Sequence, residues 1–170
     1  MAGRGLYGLV PFRPLGGEIR TQQIAVDASN GSAIGKYSPI EREADGNATA
    51  SDADDPILGV AVGLLDSDKH PLSYLPASTA GYVVYVPFDA CTFLCREDAD
   101  GGKIADLSNT HDLVIGSVDT DLGTAKVEID SSDTGGSVVN LLRYSEFWGD
   151  SSSDDYPIFE VQIVSGQDES

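Results

Sequence analysis

The sequence predicts an all-β protein: a single antiparallel β-barrel or sandwich with an extended N-terminal arm and little helix. Apolar runs are short and rich in β-branched residues, which suits a pleated, half-buried surface. Clusters of Asp, Gly, Asn, Ser and Pro separate them: Asp45-Gly46-Asn47, Asp54-Asp55-Pro56, Asp66-Ser67-Asp68, Asp100-Gly101-Gly102 and Asp133-Thr134-Gly135-Gly136, all turn chemistry. No window sustains a helical apolar stripe beyond two turns. Short strands at this spacing form a barrel or sandwich.

In chain order, strands are expected over 18–26, 57–65, 81–86, 90–96, 113–118, 125–130, 138–144 and 157–164. The run 57–65 is apolar without alternation, so both of its faces are expected to be covered. The segment 157–164 alternates: Phe159, Val161 and Ile163 share the face expected to be buried, and Ile158, Glu160, Gln162 and Val164 the other. The best helical candidate is short, at 104–110. Residues 1–35 read as arm and first strand, 36–164 as the β body, and 165–170 as an acidic tail. Cys91 and Cys95 fall four apart in one strand, about 13 Å from each other. That is too far for a disulfide, so both are expected as buried reduced thiols, and a reducing cytosol suits assembly.

Ten Lys and Arg against 28 Asp and Glu give a net charge of -18. This disfavours nucleic acid and anionic membranes as partners, since both demand a cationic footprint. No apolar run approaches the ~18–20 residues of a membrane span, and Gly, Arg and Pro interrupt any signal-peptide core near the N-terminus. The charge is uneven. Residues 1–42 carry Arg4, Arg13, Arg20, Lys36 and Arg42 against Glu18, Asp27 and Glu41, a net of +2, which leaves -20 for residues 43–170. The first seventeen residues hold five glycines, two prolines and spaced Leu, Tyr, Val and Phe. They are unfit for a helix, yet have apolar side chains to bury on a partner.

No motif for catalysis stands out. Aspartate runs beginning at Asp52 and Asp98 fail the EF-hand pattern, with Ile57 and Lys103 at the sixth place and Gly63 and Asn109 at the twelfth. Gly149-Asp150-Ser151 lacks the glycine that a nucleophile elbow requires. No phosphate-cradling glycine loop exists, and His70 and His111 read as solvated or capping residues. The expectation is a binding or structural protein with no catalytic residue, cofactor or metal.

Several segments resemble small structural proteins of tailed-bacteriophage heads. They are Gly8-Leu9-Val10-Pro11-Phe12-Arg13 with Leu15-Gly16-Gly17, the strand from Asp54-Asp55-Pro56-Ile57-Leu58-Gly59 to Gly63, Tyr74-Leu75-Pro76-Ala77 with 81–86, and Trp148-Gly149-Asp150 before the last strand. The segment 88–147 departs most from that pattern. The resemblance implies a capsid decoration (cement) protein that binds the outside of the major capsid protein lattice and stabilises the head, without catalysis. It would be assembled in the host cytoplasm and located on the virion exterior. The arm residues Leu6, Tyr7, Leu9, Val10, Phe12, Arg13, Leu15 and Arg20 would then contact the capsid, with Tyr7 and Phe12 as anchors. Self-association is expected, as a trimer or else a dimer, and deletion of residues 2–17 is expected to leave a folded body that no longer binds. The alternatives are another virion component, such as a head fibre base or tail part, and a calcium-dependent carbohydrate-binding or hydrolytic β domain.

Overall fold

The computed structural model describes residues 8–53, 55–98, 107, 109–133, 135–145 and 157–167. Among the described residues there are fifteen strands and no helix. In chain order they are β1 (Val10–Pro14), β2 (Gln22–Val26), β3 (Ile34–Gly35), β4 (Pro39–Arg42), β5 (Ala48–Ala50), β6 (Gly59–Asp66), β7 (Pro71–Leu72) and β8 (Tyr74–Leu75). There follow β9 (Gly81–Pro87), β10 (Cys91–Arg96), β11 (Thr110–His111), β12 (Leu113–Asp119), β13 (Thr124–Ile129), β14 (Val139–Tyr144) and β15 (Ile158–Ile163). All eight expected strands form, with ends shifted by a few residues. The helical candidate lies mostly outside the described residues, and its last residue, Thr110, begins β11.

Every ladder is antiparallel. One sheet runs β1-β10-β15-β14-β11, another β2-β9-β6-β4-β5 with β7 against β6, and β12-β13 and β3-β8 form two-stranded ladders. Isolated parallel bridges at Lys36↔Thr124, Ile57↔Gly166 and Glu97↔Ile129 add to those ladders, two of them at the ends of β13. The fold is all-β and antiparallel, of the sandwich or barrel class.

Two apolar cores result. One joins Cys91, Phe93 and Cys95 of β10 to Val127 and Ile129 of β13, with Leu141, Phe159, Val161 and Ile163. The other joins Ile24, Ile40, Leu64, Val83 and Tyr85 to Ile34 and Leu75 of the β3-β8 ladder. Strand β6 belongs to both: Val60 faces the first core, and Ala61 and Leu64 the second. In β9, Val86 faces the first, and Val83 and Tyr85 the second. The central pair of the six-stranded sheet is therefore a middle layer covered on both sides, which explains the unbroken apolar run at 57–65. Gly59 is required here, because a Cβ would run into the Tyr85 ring and the Val86 carbonyl.

The N-terminal segment is not a free arm from residue 8 onward. Leu9 is fully buried in the first core. Gly8 donates its N–H to the Val127 carbonyl (3.1 Å) and Leu9 to the Tyr37 carbonyl (3.0 Å). Gly8 has a φ of 90°, and a Cβ there would collide with Tyr37, so only glycine fits this crossing. Beyond it, β1 pairs with β10 through Val10↔Leu94 and Pro11↔Phe93. Prolines are tolerated because β1 is the sheet's edge. Deleting residues 2–17 removes a core leucine and an edge strand, so the truncated body is expected to be destabilised even where it still folds. At the other end, the first tail residues are clamped. Ile57 donates to the Ser165 carbonyl (2.9 Å), and the Gln167 side-chain amide pairs with the Arg42 main chain at 2.6 and 2.8 Å.

Candidate partner-binding surface

The residues expected to meet a partner divide into three groups. Leu6 and Tyr7 lie outside the described residues. Leu9, wholly inside the core, has no surface to offer a partner, which corrects its place in the set. Val10 and Phe12 are half-buried along β1, and Arg13, Leu15 and Arg20 are exposed. The register shift between Pro11 and Arg13 is a bulge, and bulges re-aim side chains. Here the Arg13 guanidinium stands 4.9 Å over the Phe12 ring, a favourable cation–π contact. Leu15, 50% exposed, hangs over a shallow depression of about 680 Å³ that Glu18, Arg20, Phe88 and Asp89 also line.

Beside this margin lies a charged cluster that the alternation of 157–164 does not foretell. That pattern puts Glu160 on the open face, but the residue is only 2% exposed. Arg143 donates its Nε–H to Oε2 at 2.7 Å, the Thr92 hydroxyl donates to Oε1 at 2.8 Å, and Arg13 Nε is 3.8 Å from Oε1. Three strands thus converge on one strand's carboxylate, which satisfies a buried charge that would otherwise be prohibitive. Both arginine side chains stay 44% exposed, so Phe12, Arg13, Leu15, Arg20 and Arg143 form an apolar and cationic margin on an acidic protein. A second pair joins buried Arg96 to half-buried Glu128, through Nε at 2.9 Å and Nη2.

Six aspartates, Asp27, Asp45, Asp66, Asp119, Asp130 and Asp133, accept main-chain N–H bonds within their own turns. The Ser29 hydroxyl and N–H hold the Asp27 carboxyl below its usual value, the His70 N–H does so for Asp66, and the Ser132 hydroxyl and N–H for Asp130. Such Asx turns account locally for much of the aspartate excess. Among the described residues no three His, Cys, Asp or Glu side chains gather where they could hold a metal ion. His70 is exposed in its turn, with Nδ1 3.2 Å from Asp66 Oδ2. His111 is instead buried, contrary to expectation. Its Nδ1 donates to the Asp130 carbonyl (3.0 Å), and its Nε2 has no hydrogen-bond partner among the described residues. Cys91 and Cys95 are both free and buried. Burial pushes the Cys91 thiol up to about 11 and raises that of Cys95 as well, so neither is a reactive thiolate at neutral pH.

Glu41 on β4 behaves oppositely to the turn aspartates. Burial raises its pKa, and Asp55, Asp52 and Glu43 raise it further by repulsion. A carboxyl raised on folding costs stability at neutral pH, a cost that fades as pH falls through the folded value and vanishes below the unfolded one. Glu41→Gln is therefore expected to raise the melting temperature at pH 7 and to leave it unchanged near pH 3. Thermal unfolding at both pH values checks this, and equal shifts at both would refute the electrostatic cause. Comparisons with protein-family models, with curated proteins and with solved structures each return no match for this chain.

Proposed function

We propose that this chain is a capsid decoration protein, seated on the outer surface of a tailed-phage head by the margin that β1 and the following loop form. The observation that carries the reading is the concentration of Phe12, Arg13, Leu15 and Arg20 on one rim of a protein with a net charge of -18. Aromatic and arginine side chains are enriched at interfaces relative to the rest of a protein surface. The acidic remainder keeps copies soluble at high local concentration and discourages unwanted association. The ordered likeness to small head proteins supports the same reading. Its central motif, Ile57 to Ala61, contributes to both cores and so bears on this chain's fold rather than on contact. Many such contacts on one lattice reinforce one another, because each bound copy is held where neighbouring subunits are abundant.

The test is co-sedimentation with, and cryo-electron microscopy of, heads of the cognate phage that lack this chain. Added protein is expected to appear as extra density on the shell exterior. Leu15→Asp combined with Arg20→Glu is expected to weaken binding at least ~30-fold, about 2 kcal/mol, with melting within about 1 °C of the parent because both side chains are exposed surface. Bare heads, or undiminished binding by the double variant, would overturn the assignment of this margin.

A further inference from the structure

On a different part of the molecule, β12 presents an edge that no described strand occupies. Its partner β13 is covered on its far side: Ala125 donates to the Lys36 carbonyl at 2.9 Å, Gly8 to Val127 at 3.1 Å and Asp98 to Ile129 at 3.0 Å. Among the described residues, strand β12 pairs only with β13. Four consecutive residues of β12, Ile115 to Val118, line a groove of about 740 Å³. These four residues span the irregularity in the β12-β13 ladder, on the strand whose other edge is unpaired among the described residues. Across the groove stand Ser32, Ala33, Ala50 and Ser51, small side chains that leave room for a polypeptide backbone.

We propose that this edge binds an extended, lysine- or arginine-bearing polypeptide segment as an added β-strand. Strand addition supplies affinity through main-chain hydrogen bonds and specificity through alternate side chains. The charge comes from the groove itself: Asp52 and Asp55 line it, and no basic residue is among its described lining. The repulsion that Glu41 feels from Asp52 and Asp55 marks negative charge that a cationic segment would relieve. Exposed edges are commonly blocked by proline or lysine. Strand β1 carries Pro11 and Pro14, whereas β12 reads LVIGSVD and has neither. The register shift between Ile115 and Val118 breaks the flat edge, so a partner must match that irregularity, which makes the edge selective rather than generally adhesive. The inference stands apart from the decoration reading, since it involves neither β1 nor the capsid.

The experiment uses the full chain and a fluorescein-labelled heptapeptide of alternating Lys and Val, followed by fluorescence anisotropy and by backbone amide NMR shifts. Saturable binding is expected, with shifts centred on residues 115–118. The same peptide N-methylated at alternate residues keeps its charge and is expected to bind at least tenfold more weakly. A Glu-for-Lys peptide is expected not to bind, and Asp52→Asn with Asp55→Asn is expected to weaken the Lys peptide several-fold and flatten its salt dependence. No binding at millimolar peptide, or equal binding by the N-methylated or Glu peptide, would overturn the proposal. Concentration-dependent shifts at 115–118 with no peptide present would overturn it too, by assigning the edge to a second copy of the chain.

Discussion

Replacing Leu9 by Ala is expected to destabilise the protein by about 3 kcal/mol, within the range for a buried leucine truncated in a packed core. For a chain of this size the melting temperature would fall by roughly 6–12 °C. The side chain is fully buried and packs in the core that also holds Phe93, Val127 and Phe159. Its N–H is fixed to the Tyr37 carbonyl, so the cavity cannot close by letting the segment drift away. Truncating neighbouring Leu15, half exposed, should change melting by no more than about 1 °C. The contrast separates two views of the N-terminus: an appendage predicts little effect from either change. Thermal unfolding followed by circular dichroism decides, and a Leu9→Ala melting point within about 1 °C of the parent would return the segment to a peripheral role.

Arg143→Ala is expected to cost about 2 kcal/mol. Orphaning a fully buried charge costs more, about 3–5 kcal/mol, but the 44% exposure of Arg143 lets solvent screen part of the loss. The loss arises on the carboxylate's side, because Glu160 keeps the Thr92 hydroxyl and only the more distant Arg13. Converting Glu160 to Leu in the same molecule removes the stranded charge and should recover at least half the loss, although Thr92 then lacks its acceptor. A double-mutant cycle measured by urea denaturation gives the coupling directly. Additive effects would mean that the ion pair contributes nothing beyond its separate parts.

These two sites also mark how far the sequence can be read. The long apolar strands are legible because β-branched residues and flanking turn residues agree, from ILGVAVGLL in the middle layer to IFEVQI at the end. Apart from β2, the strands of two to five residues are not, since VPFRP, PIER and ATA carry prolines, alanines or charges that local propensity assigns to loops. Their pairing is decided by a neighbour distant in sequence. Leu9 illustrates the same point: a leucine among glycines looks solvent-bound until Tyr37 and Val127 are brought around it. Glu160 alternates correctly onto the face opposite Phe159 and Val161, but its burial depends on Arg13 and Arg143 arriving from strands on either side. Within the candidate surface, the exposure of Arg13, Leu15 and Arg20 follows from composition. The Phe12 bulge, the Glu160 cluster and the groove beside β12 need the assembled sheets.

Sharing the β6-β9 pair between two apolar interiors has a consequence for how the molecule comes apart. Neither interior can dissolve while the other persists, since exposing one side of that pair strips the support from residues alternating with those on the other. Opening is thus expected to be an all-or-none event for the body, with the two interiors melting together in a single transition.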